Sequence, residues 1–273
     1  MRTAYLDTLY ELAQKDERVY ALISDNGAIV YDKYRRDLPG QYLNLGISEA
    51  NMLGMAAGMA SCGKIPFAYT IGAFLAYRAF EFIRNDICLQ KQNVKIVGTD
   101  PGISAELNGG THMSMEDIGV LRSIPNLVIF EPVDGVQLRA AMPVLNDYPG
   151  AVYVRLFRKE LPNVFPEDYK FDLFSADKLR DGSDLSIFVS GMLTKDVLDA
   201  ADALEAEGIS CEVVNVHTIK PIDRETVIAS ARKTGAVLTV ENGLAAPLDQ
   251  GGIGFDYRMS MGVADHWIKW IKE

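Results

Sequence analysis

The sequence is poor in the features that mark several protein classes. Cysteine occurs three times, as Cys62, Cys88 and Cys211, with no CxxC pair. An odd, unpaired set excludes a disulfide framework and suits a reducing compartment. Long apolar runs are also missing. The longest stretches without a charge, residues 50–63 and 65–77, are broken by glycine and fall short of the roughly 18–20 residues of a membrane helix. Met1 opens directly into an amphipathic pattern, which is not the pattern of a signal peptide. No dense Lys/Arg run interrupts a net charge of −10, from 27 basic and 37 acidic residues, so nucleic-acid binding is disfavoured. Internal repeats and low-complexity segments are absent as well. A cytoplasmic protein is expected.

What is present suffices for a sizeable core. Apolar residues make up 48% and charged residues 23% of 273 positions, the balance of a folded α/β chain long enough for two domains. Leu6, Leu9, Tyr10 and Ala13 recur at the spacing of a helix packed on one face. A strand is expected at Val19–Ile23, then a Met- and Ala-rich helix over Glu49–Ser61 with Ser48 as its N-cap and Gly54 and Gly58 admitting a close neighbour. A second helix is expected over 76–90, strands over 94–99, Leu127–Phe130 and 152–156, and a helix between residues 135 and 145. Such alternation implies a mostly parallel sheet covered on both faces. Periodicity stops between 157 and 184, where Pro162, Pro166 and many charges read as a surface linker. Beyond it come strand Leu185–Val189, a helix capped by Thr194 and closed at Gly208, and a strand over 212–216. A helix capped by Asp223 and closed at Gly235 and a strand over 236–241 complete a smaller βαβαβ unit. The expected division is 1–160, a linker over 161–183, a second and incomplete unit over 184–242, and a tail over 243–273.

Three places could carry chemistry. Glu49 stands at the first turn of its predicted helix, where the plain reading is a carboxylate complementing the helix dipole. The nearly uncharged helix behind it allows another reading, a carboxyl buried in an apolar interface that polarises a heterocycle nitrogen. Phe74 and Tyr77 serve either as plain core or as a wall for a flat ring. His112 follows Asn108-Gly109-Gly110-Thr111 after a strand's C-terminal end. It is either solvated or in reach of a ligand that approaches through the glycines. None of the three is specific alone.

Taken together, residues 44–63, 66–85, Gly110-Thr111-His112, Ile124-Pro125-Asn126 and His217-Thr218-Ile219-Lys220-Pro221-Ile222-Asp223 resemble transketolase. More narrowly, they resemble the C-terminal subunit of split transketolases, which carries a pyrimidine-binding domain and a small C-terminal domain. The resemblance spans residues 1–242. It implies a transferase that moves a two-carbon ketol unit between sugars, sugar phosphates by preference, using thiamine diphosphate and magnesium. By that resemblance Glu49 matches the glutamate on the aminopyrimidine nitrogen and His112 the histidine facing the donor sugar, the two catalytic positions. Phe74 matches the aromatic stacked on the pyrimidine, Tyr77 a second pocket residue, and Asp25 an acidic position touching the cofactor. Arg158 and Arg2 match arginines that bind substrate phosphate. The organic chemistry belongs to the cofactor.

Several positions depart from that pattern. Ile71 stands where a further phenylalanine is common, Asp100 where transketolases have a histidine, and Asn108 where they have an aspartate that reads sugar hydroxyls. An anionic Asp100 would repel a phosphate oxygen. Deoxyxylulose-phosphate synthases share that aspartate, but the arginine they place next is Pro101 here. No Gly-Asp-Gly motif with a downstream Asn appears to hold magnesium and diphosphate. The resemblance therefore implies an N-terminal partner subunit that carries that half, in an α2β2 heterotetramer with an interfacial site. The alternatives are a deoxyxylulose-phosphate-synthase-like enzyme and a non-catalytic remnant that only binds its partner. Residues 243–273 resemble a segment of glycogen and starch branching enzymes without their catalytic carboxylates, as a fusion or a sequence-assembly joint would; the alternative is that Gly251-Gly252-Ile253-Gly254 is a diverged glycine turn of the transketolase family.

Overall fold

The structure is a computed structural model that describes residues 1–243; the resemblance assigned to the tail lies outside the described residues. The strands, in chain order, are β1 (Val19–Ile23), β2 (Tyr42–Asn44), β3 (Ile65–Ile71), β4 (Lys95–Thr99), β5 (Leu127–Phe130), β6 (Ala151–Leu156), β7 (Asp177–Arg180), β8 (Leu185–Val189), β9 (Cys211–Asn215), β10 (Thr218–Lys220) and β11 (Val237–Val240). The α-helices are α1 (Arg2–Lys15), α2 (Asp32–Asp37), α3 (Glu49–Ser61), α4 (Phe80–Phe82), α5 (Asp117–Leu121), α6 (Gly135–Asp147), α7 (Thr194–Ala206) and α8 (Arg224–Thr234). Two sheets result, ordered β10-β5-β6-β4-β3-β1-β2 and β11-β8-β9-β7. Every pairing is parallel except those of β10 with β5 and of β7 with β9.

Strands β3, β4, β5 and β6 are buried along their whole length, which is why they read as apolar runs rather than alternations. One face of the sheet packs on α1 and α6 through Tyr5, Leu9, Leu138 and Met142. The other packs on α3 and the helical run after β3 through Met52, Leu53, Ala56 and Ile83. On α1 the buried stripe is Ala4, Tyr5, Thr8, Leu9 and Ala13, turned from the expected one because Tyr5 stacks on Tyr69 at 5.5 Å. Leu6 and Tyr10 are only partly buried against it. Thr8 is tolerated there because its hydroxyl donates to the Ala4 carbonyl at 2.8 Å.

Helix α3 has the expected bounds with Ser48 at its N-cap, but the side chain makes no capping bond: its hydroxyl donates backwards to Leu45 O at 2.8 Å. Thr194 lies inside α7, with Leu193 at the N-cap, and its hydroxyl donates to Gly191 O. Asp223 does cap α8, accepting from Thr226 N at 3.1 Å, and Gly235 closes it at φ 72°. The expected second helix begins at Phe74 and winds as π-helix over Phe74–Arg78 and Ile83–Leu89, on either side of α4.

The stretch read as a linker is not free of regular structure. Strand β7 pairs antiparallel with β9, and its sequence Asp-Lys-Leu-Arg gave no strand signal because charge is what an edge strand tolerates. Asp134 also ties this stretch down: it caps α6 through Gln137 N and accepts from Val164 N at 2.6 Å and Phe165 N at 3.0 Å.

Candidate active site

Parallel pairing brings the C-terminal ends of β1, β2, β3, β4 and β6 to one edge, the edge where open α/β sheets place ligands. Ile23 pairs with Asn44 and with Tyr69, Ile71 with Thr99, and Thr99 with Leu156. Asp25, Glu49, Phe74, Asp100 and Arg158 therefore leave the sheet on the same side. Two of them turn off their strands at positive φ, Asp25 at 59° and Asp100 at 60°. For non-glycine residues that conformation is uncommon and concentrates at functional positions.

Glu49 is buried, but its surroundings are not apolar as expected. Arg78 donates to its Oε2 at 2.9 Å, and among the described residues no other side chain hydrogen-bonds that carboxylate. The same guanidinium lies 4.6 Å from the Phe74 ring centre, and the His112 ring meets Phe74 edge-on at 5.1 Å. Glu49, Arg78, Phe74 and His112 thus form one continuous wall. Arg78 was missed in the sequence; the available signal was that it is the first charge after the uncharged stretch 65–77. Tyr77 does not join Phe74: its hydroxyl donates to Glu116 Oε2 at 2.6 Å and accepts from Glu116 N at 3.0 Å. Asp25 exchanges two hydrogen bonds with Asn44, its N–H donating to Oδ1 at 3.2 Å and its carboxylate accepting from Nδ2 at 3.1 Å.

A second group lines a cleft of about 570 Å³ that includes Arg2, Asp100, Ser104, Asn108, Arg158 and Lys159. Asp100 is not a free anion there. Arg158 Nε donates to its Oδ1 at 2.6 Å, and Thr99 Oγ1 donates to Oδ2 at 3.3 Å. Burial raises the Asp100 carboxyl above its ordinary value, with Arg158 opposing that shift. Lys159 is paired with Glu106 at 2.5 Å. Three bases, Arg2, Arg158 and Lys159, face three acids, Asp100, Glu106 and Glu160, around this cleft. Ile71 ends β3, buried and apolar, so the aromatic wall is carried by Phe74.

Among the described residues no group of three His, Cys, Asp or Glu side chains is placed to hold a metal ion. None of the described helices is long and apolar enough to cross a membrane.

Fold and site together define the pyrimidine-binding half of a transketolase-like transferase. The transketolase pyrimidine-binding domain matches residues 1–164, and the transketolase C-terminal domain matches residues 175–254; the second match runs past Asn242, where the resemblance read from the sequence stops. The chain belongs to the transketolase family. It is 45% identical over 93% of its length, and 78% of the relative's, to the 6-deoxy-6-sulfo-D-fructose transketolase subunit SqwH of Clostridium sp. (strain MSTE9). It is 36% identical to one of the subunits of the apulose-4-phosphate transketolase of Phocaeicola vulgatus, over 88% of this chain and 78% of that one. A solved split gene transketolase, described as an inactive beta4 tetramer, superposes with a TM-score of 0.82 at 41% identity, covering 89% of this chain and 79% of that one. Two of these relatives are named as transketolase subunits and the third as a split gene transketolase.

Proposed function

We propose that this chain carries the pyrimidine side of a ketol-transfer site, completed by an N-terminal subunit that supplies the diphosphate and magnesium contacts. The observation that carries the reading is Glu49, a buried carboxylate held by Arg78 through one oxygen and leaving the other for a ring nitrogen. That donor set fits the aminopyrimidine end of thiamine diphosphate. Bound there, the cofactor supplies the carbon nucleophile that accepts the ketol unit. Glu49 holds a proton at the ring nitrogen, Arg78 fixes the Glu49 oxygen that faces away from it, and Phe74 packs on the ring. His112, against Phe74, faces the donor sugar, while Asp25 with Asn44 and the Tyr77–Glu116 pair shape the rim. Arg2, Asn108 and Arg158 read the far end of the sugar. Magnesium belongs to the partner subunit, and the heterotetramer and cytoplasmic location are part of the same proposal.

The cleft also bears on the donor. Its bases and acids balance, and Asp100 already occupies one edge of Arg158. A phosphate dianion would meet Asp100 as well as Arg158, whereas a neutral or singly charged end meets less repulsion. The relative of 45% identity is named for a sulfonated ketose, whose sulfonate carries one charge. That supports a monoanionic ketose donor for this chain.

Glu49→Gln in the reconstituted complex tests the site. Cofactor binding should be largely kept, while deuterium exchange at the thiazolium C2 and ketol transfer should each fall by about two orders of magnitude or more, the scale of lost acid–base catalysis. Unchanged exchange would remove Glu49 from the mechanism.

A further inference from the structure

Asn242 lies just beyond the last described strand of the smaller sheet, yet its side chain is buried in the other unit. Its Nδ2 donates to Pro101 O at 2.9 Å and its Oδ1 accepts from Ile103 N at 3.2 Å. One amide therefore satisfies a carbonyl and an N–H of the same backbone stretch, as a neighbouring strand would. Gly102 makes this approach possible. It sits at φ 54°, and a Cβ there would overlap both the side-chain and backbone oxygens of Asn242.

The stretch so held leads into the segment Gly102–Asn108. It follows Asp100 and Pro101, ends at Asn108, and supplies Ser104 and Glu106 to the cleft. Its other backbone ties run to neighbouring loop residues, Gly102 N to Ser114 O and Ser104 Oγ to Pro101 O, while Arg158 and Lys159 hold only the side chains of Asp100 and Glu106. Asn242 is fixed in turn by the fully buried Arg155, whose Nη2 donates to Asn242 O at 2.6 Å and to Ser114 O at 3.3 Å. Arg155 reaches Asp117 by Nε at 2.9 Å and Glu131 by Nη1 at 2.7 Å. Ser190, from the smaller unit, donates to the second oxygen of Glu131 at 2.7 Å. One buried network thus anchors both loops that carry the sugar-facing residues: the Asp100–Asn108 side through Asn242, and the His112 side through Ser114 and Asp117.

We infer that Asn242 is a positioning residue for the donor cleft, and that the smaller unit acts on the reaction by lending this amide to the backbone of residues 101–103. The inference rests on the ketol-transfer reading of the cleft, so its test includes a measurement made without substrate.

Asn242→Ala and Asn242→Asp serve in the full chain; the aspartate keeps the acceptor for Ile103 and loses the donor to Pro101. Removing a buried hydrogen-bond partner costs enough to change an equilibrium about tenfold. In Asn242→Ala, amide hydrogen exchange at residues 102–104 should speed by about tenfold, with β4 unchanged. Asn242→Asp should fall between Ala and wild type. In the reconstituted complex, the KM for the ketose donor should rise by about tenfold, while cofactor affinity and kcat shift by less than about threefold. Either variant decides the matter if the other fails to fold. Unchanged exchange at 102–104, exchange that rises equally in β4, or a donor KM that does not move would each overturn the inference. Altered exchange in a complex that transfers no ketol unit from any donor would instead leave Asn242 as the anchor and refute the assigned reaction.

Discussion

Replacing Arg155 by Met should be the most destabilising single change in the first unit. The guanidinium is wholly buried, and two carboxylates with almost no exposure, Asp117 and Glu131, depend on it. Burial works against its charge, but those two carboxylates outweigh it and hold Arg155 above its ordinary pKa. Removing one partner of a buried pair costs about 3–5 kcal/mol, because the remaining charge has no water to return to. Two carboxylates would be stranded here, partly relieved by Tyr153, which donates to Asp117 at 2.8 Å, and by Ser190 on Glu131. The expected loss is therefore about 4–6 kcal/mol, a large part of the roughly 5–15 kcal/mol that holds a domain together. Urea unfolding followed by circular dichroism measures it as a shift in midpoint at constant slope. Adding Asp117→Asn and Glu131→Gln to Arg155→Met should recover at least half of the loss, since the damage is uncompensated charge rather than volume. A loss below about 1 kcal/mol, or a triple variant no more stable than the single one, would refute the reasoning.

Two further outcomes follow from buried groups elsewhere. Lys95 is buried with its ammonium donating to Asn93 Oδ1, Tyr148 O and Gly150 O, and burial lowers its pKa to about 7. Between that value and its unfolded one near 10.4 the unfolded chain binds the extra proton, so stability should climb with pH across this window by up to about 1.4 kcal/mol per unit; Lys95→Met should remove the climb in matched urea titrations. Gly98→Ala would set a Cβ 2.5 Å from the Tyr153 hydroxyl, which is fixed on Asp117. It should cost about 1–3 kcal/mol by thermal unfolding, and a neutral result would mean that Tyr153 can swing away.

Much of the parallel framework was legible because buried strands and one-faced helices write themselves locally. Val19–Ile23, Leu127–Phe130 and Leu185–Val189 have the expected bounds, as does Glu49–Ser61. What stayed hidden is made by distant partners. Strand β7 is half-exposed and charged, and β10 lies in a motif read as part of the second unit although it pairs with β5. Arg155 sat unremarked inside a predicted strand because nothing local says that Asp117 and Glu131 converge on it. Asn242 marked the end of the family pattern in the sequence, and only the fold brings it to Pro101. At the site, the residue types at 49, 74 and 112 were readable, but the link through Arg78 was not, since Glu49 and Arg78 meet across two separate helical elements.

The antiparallel strand β10 also sets an order on the birth of the molecule. Phe130 on β5 finds its partner in Thr218, so as the chain leaves the ribosome this flank of the sheet stays open until much of the following unit has been made. At roughly 5–20 residues per second that is a wait of several seconds. During that time an apolar strand with unpaired N–H and C=O groups is available to any neighbouring nascent chain. A gene cut between the two matched domains would make that temporary exposure permanent.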